Sequence, residues 1–294
     1  MVKKIGIIAK SNRQKALDHV KLLIPHLRDR GYDVIIDLRA GEMLSLPGLK
    51  PSDIVAAVDL IIVLGGDGTL LSEARDVGQQ QIPILGINLG SLGFLTEIPC
   101  CDIFTFLDKA LRNELLVEER MMLTADVIRE NQKVGTFHVL NEVVVHKGAI
   151  ARIIDVETYI NSGYVTTFRS DGLIISTPTG STGYSLSAGG PILYPTLHCI
   201  NVTPVSPHTL TNRPLVVPDN SVVQAVIKTP DEEILLSLDG QYGFHLLYND
   251  VVEIKKADFT TKLLIPHDRD YFYMLREKLQ WGGRVDKYGK EKCE

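Results

Sequence analysis

Residues 60–71 read Leu-Ile-Ile-Val-Leu-Gly-Gly-Asp-Gly-Thr-Leu-Leu and set one carboxylate, Asp67, among three glycines directly after an apolar run. Leu60–Leu64 is too short for a helix of its own and predicts a buried parallel strand. Gly65, Gly66 and Gly68 permit close approaches that a Cβ would forbid, and Thr69 with Leu70-Leu71 opens a helix. Strand, glycine turn and helix together point backbone N–H groups at a phosphate. A carboxylate beside a polyphosphate is repelled unless it binds a metal or takes a proton from a nucleophile. The turn therefore predicts phosphoryl transfer over simple nucleotide holding. It is neither G-x-G-x-x-G nor G-x-x-x-x-G-K-[ST], and no lysine follows it.

Four further groupings carry polar chemistry. Asn88-Leu89-Gly90-Ser91-Leu92-Gly93-Phe94-Leu95-Thr96 is a second glycine turn after a strand, and with the first it could clamp a polyphosphate from both sides. Asn141-Glu142 lies between apolar runs, where the two side chains would face opposite ways unless the strand begins or bulges there. From Ser170-Asp171-Gly172 the chain runs through the apolar Leu173–Ile175 into a segment dense in hydroxyls and glycines, Ser176 to Pro191. That segment offers many donors and acceptors to a small polar ligand, and no strong base stands near it in sequence, so binding fits better than nucleophilic catalysis. Leu238-Asp239-Gly240-Gln241 reads as a hairpin turn from which Gln241 could reach a ligand.

The elements that must position these groups fall into two textures. In the first hundred residues, Ile5–Ile8, Val34–Ile36, Leu60–Leu64 and Ile82–Ile87 predict strands. Leu17, Val20, Leu23, Ile24 and Leu27 recur at helical spacing over residues 13–29, with Gly31 as the stop signal. Strands alternating with helices predict a parallel, Rossmann-like α/β sheet, whose ligands sit outside the carboxyl ends of the strands. From about Leu123 the pattern becomes short β-branched runs separated by turns such as Arg129-Glu130-Asn131, Asn161-Ser162-Gly163 and Tyr248-Asn249-Asp250. That spacing without helices predicts an all-β, sandwich-like C-terminal domain. The expected division is 1–119 and 120–270, with the linker near Asn113–Arg120. Residues 271–294, opening with a weak helical period at Tyr271 to Leu279, would pack back on the first domain.

The chain has 294 residues, 45% hydrophobic and 23% charged, with a net charge of −5. This fits about two ordinary globular domains. The charge gives no support for nucleic acid as a partner, since such affinity depends on Lys and Arg. No run approaches the roughly 20 apolar residues of a membrane span, and the N-terminus lacks a signal-peptide core. The expected location is the cytoplasm, with no membrane partner. The four cysteines show no metal-binding spacing.

Taken together and in order, these residues resemble the NAD kinase family from Gly65 to Gln241. The Gly-Gly-Asp-Gly turn alone is shared with diacylglycerol, sphingosine and 6-phosphofructo-kinases. The Asn-Glu pair with Thr-Pro-Thr-Gly-Ser-Thr-x-Tyr-Ser-Leu-Ser-Ala-Gly-Gly-Pro narrows it. The resemblance implies Mg²⁺-assisted transfer of the terminal phosphoryl group of ATP, or of polyphosphate, to the 2′-hydroxyl of the adenosine ribose of NAD⁺, giving NADP⁺. It implies NAD bound between the two domains and across a subunit contact of a homodimer or homotetramer.

Within that resemblance, Gly65, Gly66, Gly68 and Thr69 form the phosphate loop. Asp67 accepts the proton of the 2′-hydroxyl, and Gly68 lines the same pocket. Asn141 and Glu142 hold the ribose and adenine-side hydroxyls, and Asp171 engages the nicotinamide end. Thr182, Gly183, Tyr184, Ser185, Leu186 and Ser187 wrap adenine and ribose. Arg152, Arg169 and Gln241 fall at further NAD-contacting positions, and the metal ligands stay unassigned. Position 183 departs from the family, which usually carries Ala there. A lipid kinase sharing the turn would need an apolar entrance for an acyl chain, where this chain offers hydroxyls. A non-catalytic NAD-sensing module would not need Asp67.

Overall fold

A computed structural model describes residues 2–10, 14–148, 153–209, 211–230 and 233–281. Its contacts divide the chain at Glu119/Arg120 and again at Thr260/Thr261. The first unit holds β1 (Lys4–Ala9), α1 (Gln14–Arg28), β2 (Asp33–Ile36), α2 (Leu38–Leu44), α3 (Pro51–Val55), β3 (Leu60–Gly65), α4 (Asp67–Gly78), β4 (Ile84–Asn88), β5 (Ile98–Pro99) and α5 (Ile103–Leu111). Its strands run parallel in the order β2-β1-β3-β4, with β5 beside β4. Every residue of β3 is buried, as a parallel strand covered on both faces should be. On one face Ile5, Ile7, Ile62 and Leu64 pack with Leu17, Val20, Leu23 and Leu27 of α1 and with Ile103 and Leu107 of α5. On the other face the sheet lacks side chains where helices come close. A Cβ on Gly6 would meet Ile54 of α3, and one on Gly86 would lie 2.9 Å from Leu70 Cδ1 of α4. The short α2 and α3 and the nine-residue α5 were not marked by the sequence pattern.

The second unit is built from strands. They are β6 (Leu116–Arg129), β7 (Gln132–Val139), β8 (Glu142–Lys147), β9 (Ile154–Ile160), β10 (Gly163–Ser170), β11 (Gly172–Ser176), β12 (Cys199–Val205), β13 (Leu215–Pro218), β14 (Val223–Ile227), β15 (Ile234–Leu238), β16 (Tyr242–Leu246) and β17 (Val251–Ile265), with α6 (Tyr184–Ser187) between β11 and β12; the start of β6, to Glu119, and the end of β17, from Thr261, belong to the first unit. One sheet follows the order β13-β12-β11-β8-β15-β16 and is antiparallel throughout. In the other, β10, β9, β14 and β17 pair in sequence, β17 also pairs β6, and β6 pairs β7. Leu173, Ile175 and Val143 from the first sheet share one apolar core with Val156, Val223 and Ile254 from the second. That is the expected sandwich: two sheets joined through their inner faces. The hairpin between β6 and β7 turns on Glu130 (φ 50°) and Asn131 (φ 61°), and that between β9 and β10 on Asn161 (φ 50°) and Ser162 (φ 66°). Positive φ at both central residues matches the twist of the flanking strands.

Residues 112–115 connect α5, which ends at Leu111, to β6, which begins at Leu116. The hydroxyl-rich segment after β11 is a 3₁₀ turn at Thr179–Thr182 followed by α6, and much of it is buried. At the C-terminus α7 (Tyr271–Leu279) is capped by Asp270, which accepts from Tyr273 N at 3.0 Å, and buries Tyr271, Met274 and Leu275.

Candidate functional site

In the first unit β3 delivers the chain to its carboxyl end at Gly65, Gly66 breaks from the strand, and α4 starts at Asp67 itself. A Cβ on Gly65 would overlap Thr69 Oγ1, whereas Gly66 and Gly68 have nothing within 4 Å of where a Cβ would sit. The first glycine is thus required for packing, and the other two leave the space above the turn open. Asn88 ends β4 level with Gly65, and Leu89 N donates to Gly65 O at 3.1 Å, so both glycine turns share one edge.

Asp67 joins them. Its Oδ2 accepts from Phe94 N at 2.8 Å, and its Oδ1 accepts from Leu95 N, Thr96 N and Thr96 Oγ1, each at 3.0 Å. The loop that supplies these donors is closed from inside by Asn88. Its Nδ2 donates to Ser91 O (2.8 Å), Thr96 Oγ1 (3.0 Å) and Thr96 O (3.2 Å), and its Oδ1 accepts from Gly90 N at 2.7 Å. The second turn therefore cradles the carboxylate, a role not read from its sequence. Oδ1 has no lone pair to spare, while Oδ2 keeps one acceptor position.

In the second unit three polar residues stand abreast on neighbouring strands: Glu142 opposite Ser176, and Ser176 opposite Asn201. Strand β8 begins at Glu142, which leaves Asn141 just before it and lets both side chains serve one side. Glu142 is buried, its Oε2 lacks a hydrogen-bond partner, and so does Asn141 Oδ1. Burial, and next to it the carboxylate of Asp239, push the Glu142 carboxyl up to about 8. A methyl on Gly183 would lie 3.1 Å from Glu142 Oε2 and 3.6 Å from Asn141 Nδ2, so the start of α6 sits directly against the pair.

The hydroxyls of the 176–191 segment divide into two groups. Thr177 Oγ1 donates to Leu140 O (2.6 Å), Ser181 Oγ to Pro178 O (2.6 Å), and Thr179 Oγ1 accepts from Arg120 (3.2 Å). Ser185 is fully buried, accepting from Asn201 Nδ2 at 2.7 Å and lying 3.1 Å from Thr203 Oγ1. These groups hold the segment in place. Thr182, Gly183 and Leu186 are partly exposed and Tyr184 and Ser187 exposed. Asp171, Arg169 and Gln241 are exposed as well, with Arg169 Nε 4.0 Å from Asp155. Arg152 lies outside the described residues.

Two residues of this region escaped the sequence reading. Asp239 does form the hairpin turn, at φ 51°, but its carboxylate also accepts from Leu140 N (3.0 Å), Asn141 N (2.8 Å) and Glu142 N (3.0 Å). Asn201, fully buried on β12, underpins Ser185. A polar side chain inside the apolar run Ile200-Asn201-Val202 was its one visible signal.

An α/β unit with a glycine turn at a strand's carboxyl end, in one chain with a β-sandwich that bears a hydroxyl-rich segment, defines a class: a two-domain nucleotide phosphotransferase. The ATP-NAD kinase N-terminal domain matches residues 5–115, and the ATP-NAD kinase C-terminal domain matches residues 140–265. The chain belongs to the ATP-NAD kinase family. An NAD kinase of Syntrophotalea carbinolica is 49% identical over 293 residues, covering 96% of this chain and 100% of the relative. Among solved structures, yeast NADH kinase complexed with NADH superposes with a TM-score of 0.90 at 25% identity, over 98% of this chain and 90% of that one. An NAD kinase from Archaeoglobus fulgidus in complex with ATP gives 0.76 at 26% identity, over 93% and 99%.

Proposed function

We propose that this chain transfers the terminal phosphoryl group of ATP to the 2′-hydroxyl of the adenosine ribose of NAD⁺, with Asp67 as the proton acceptor. The supporting observation is the state of the Asp67 carboxylate: fixed by four donors, with one acceptor position left on Oδ2. A hydroxyl that donates to that position loses its proton to Oδ2 as its oxygen attacks the γ-phosphorus, and ADP leaves. In such loose transition states the protein contributes mainly position and charge stabilisation. Gly65, Gly66, Gly68 and Thr69 supply the phosphate loop in place of a P-loop lysine.

Asn141 and Glu142 are assigned to the ribose and adenine-side hydroxyls. Burial keeps much of Glu142 protonated at neutral pH, so it can donate as well as accept there. Thr182 to Ser187 are assigned to adenine and ribose, with Ser185, buried and braced by Asn201, holding its neighbours in place. Asp171 is assigned to the nicotinamide end, and Arg152, Arg169 and Gln241 to further NAD contacts. The working domains are 1–119 with residues 271–294, and 120–270. A homodimer or homotetramer in the cytoplasm is the proposed setting, and no described helix is long and apolar enough to cross a membrane.

Among the described residues no three His, Cys, Asp or Glu side chains gather as a metal site, and Asp67 Oδ1 is fully engaged. A resident metal cage does not fit these residues. The Mg²⁺ of the reaction is therefore assigned to the incoming triphosphate, the usual way this ion reaches phosphoryl-transfer sites.

The test is an NADP(H)-formation assay that crosses ATP and polyphosphate with NAD⁺ and NADH. Asp67→Asn should fold and bind NAD⁺ while losing turnover by a factor on the order of a hundred or more. Near-normal turnover in that variant would remove Asp67 from proton transfer.

A further inference from the structure

The Asp67 cradle is only as firm as the loop that presents Phe94, Leu95 and Thr96. Asn88 secures that loop from inside, and the next residue along the chain, Glu97, is held from outside. Arg269 Nε lies 2.7 Å from Glu97 Oε1. The same guanidinium places Nη1 2.7 and 2.8 Å from the two oxygens of Glu118, at the start of β6. Its Cζ stands 5.6 Å from the centre of the Tyr271 ring, at the start of α7. Arg269 and Glu97 side chains are only 8% and 9% exposed.

We propose that Arg269 is a positioning residue for phosphoryl transfer: by clamping Glu97 it holds the 94–96 donors in register with Asp67. A surface pair would do little, but here one planar cation bridges two sheltered carboxylates and stacks on an aromatic ring. Arg supplies that fork geometry and Lys cannot. The residue touches no substrate and acts through Glu97, Thr96 and then Asp67. This inference rests on Asp67 being the proton acceptor.

A purely structural role is separable from a positioning one. Arg269→Met takes the Arg269 cation away from two neighbouring sheltered carboxylates, so it lowers stability whatever else it does. Arg269→Met combined with Glu97→Gln and Glu118→Gln removes the three charges together, and with them the cost of sheltering two carboxylates that have lost Arg269. The expected result is that the triple variant regains the parental melting temperature, yet its kcat stays about a hundredfold low, with the KM for NAD⁺ within about twofold because Arg269 acts on the reacting carboxylate and not on the bound nucleotide. Arg269→Lys should fall between parent and Met.

Recovery of kcat together with stability in the triple variant, or an unaltered kcat in Arg269→Met, overturns the proposal. If Arg269→Met does not fold, the triple variant alone decides. Asp67→Asn is assayed alongside. Retained turnover there would sink the proton-acceptor reading itself, whereas a dead Asp67→Asn beside an active triple variant sinks only the role of Arg269.

Discussion

Gly93→Ala puts the cradle to a direct test without touching a polar group. Gly93 does not sit at positive φ, so alanine suits its backbone and the effect must come from the added methyl. That methyl would overlap Asp67 Oδ1, lie 2.5 Å from Thr96 Oγ1 and 2.8 Å from Asp67 Cγ. No rotamer relieves this, because the carboxylate is held by donors on consecutive residues just beyond Gly93. Either Asp67 swings out or the 93–96 turn opens, and in both cases Oδ1 loses its three bonds.

A hydrogen bond to a charged acceptor contributes about 1.5–3 kcal/mol. Asp67 is only half-buried, and a displaced carboxylate regains water, so the net loss should be about 2 kcal/mol in all rather than the sum. Displacing the proton acceptor by the width of a methyl should lower kcat about a hundredfold. Urea unfolding and the coupled NADP⁺ assay measure the two effects on one preparation. Unchanged stability and a kcat within about twofold of the parent would refute the cradle. A stability loss with normal kcat would keep the cradle but remove Asp67 from the chemistry.

Two other perturbations bear on the second unit. Burial raises the Glu142 carboxyl from 4.5 to about 8, so the folded state holds its proton more tightly than the unfolded one. Stability from this group is therefore full below pH 4.5 and declines as pH rises to about 8, by an amount on the order of a few kcal/mol. Glu142→Gln should flatten that slope in urea titrations at several pH values, and an unchanged slope would mean the group is not buried in solution. Gly183→Ala reduces unfolded-chain freedom, a gain of about 0.4–1 kcal/mol, but sets its methyl 3.1 Å from Glu142 Oε2 and 3.2 Å from Gly180 O. The two effects should leave stability within about 1 kcal/mol of the parent and move the Glu142 titration to higher pH; a downward move would contradict the described packing.

What was legible in the sequence is what short-range rules encode. The apolar run into Gly65-Gly66-Asp67-Gly68 specified strand, turn and helix because those preferences are local. Asn131 and Asn161 announced their hairpins as residues that tolerate positive φ. The short α2 and α3 carried too few turns to show a period. The 176–191 segment read as a ligand-facing set of hydroxyls because composition cannot tell a hydroxyl turned outward from one bonded to its own backbone.

The residue types and their order determined by themselves that a carboxylate would stand at a phosphate-ready turn and that a β-rich half would carry a polar segment. Only the tertiary structure decided how that carboxylate is held. Its donors come from 27 to 29 residues further along the chain, and Arg269 reaches Glu118 across 151 residues. Glu142 is an ordinary carboxylate until β8, β11 and α6 enclose it. Hydrogen-bond partners and desolvation follow strand register and chain crossings, and these have no signature within a few residues of the groups they control.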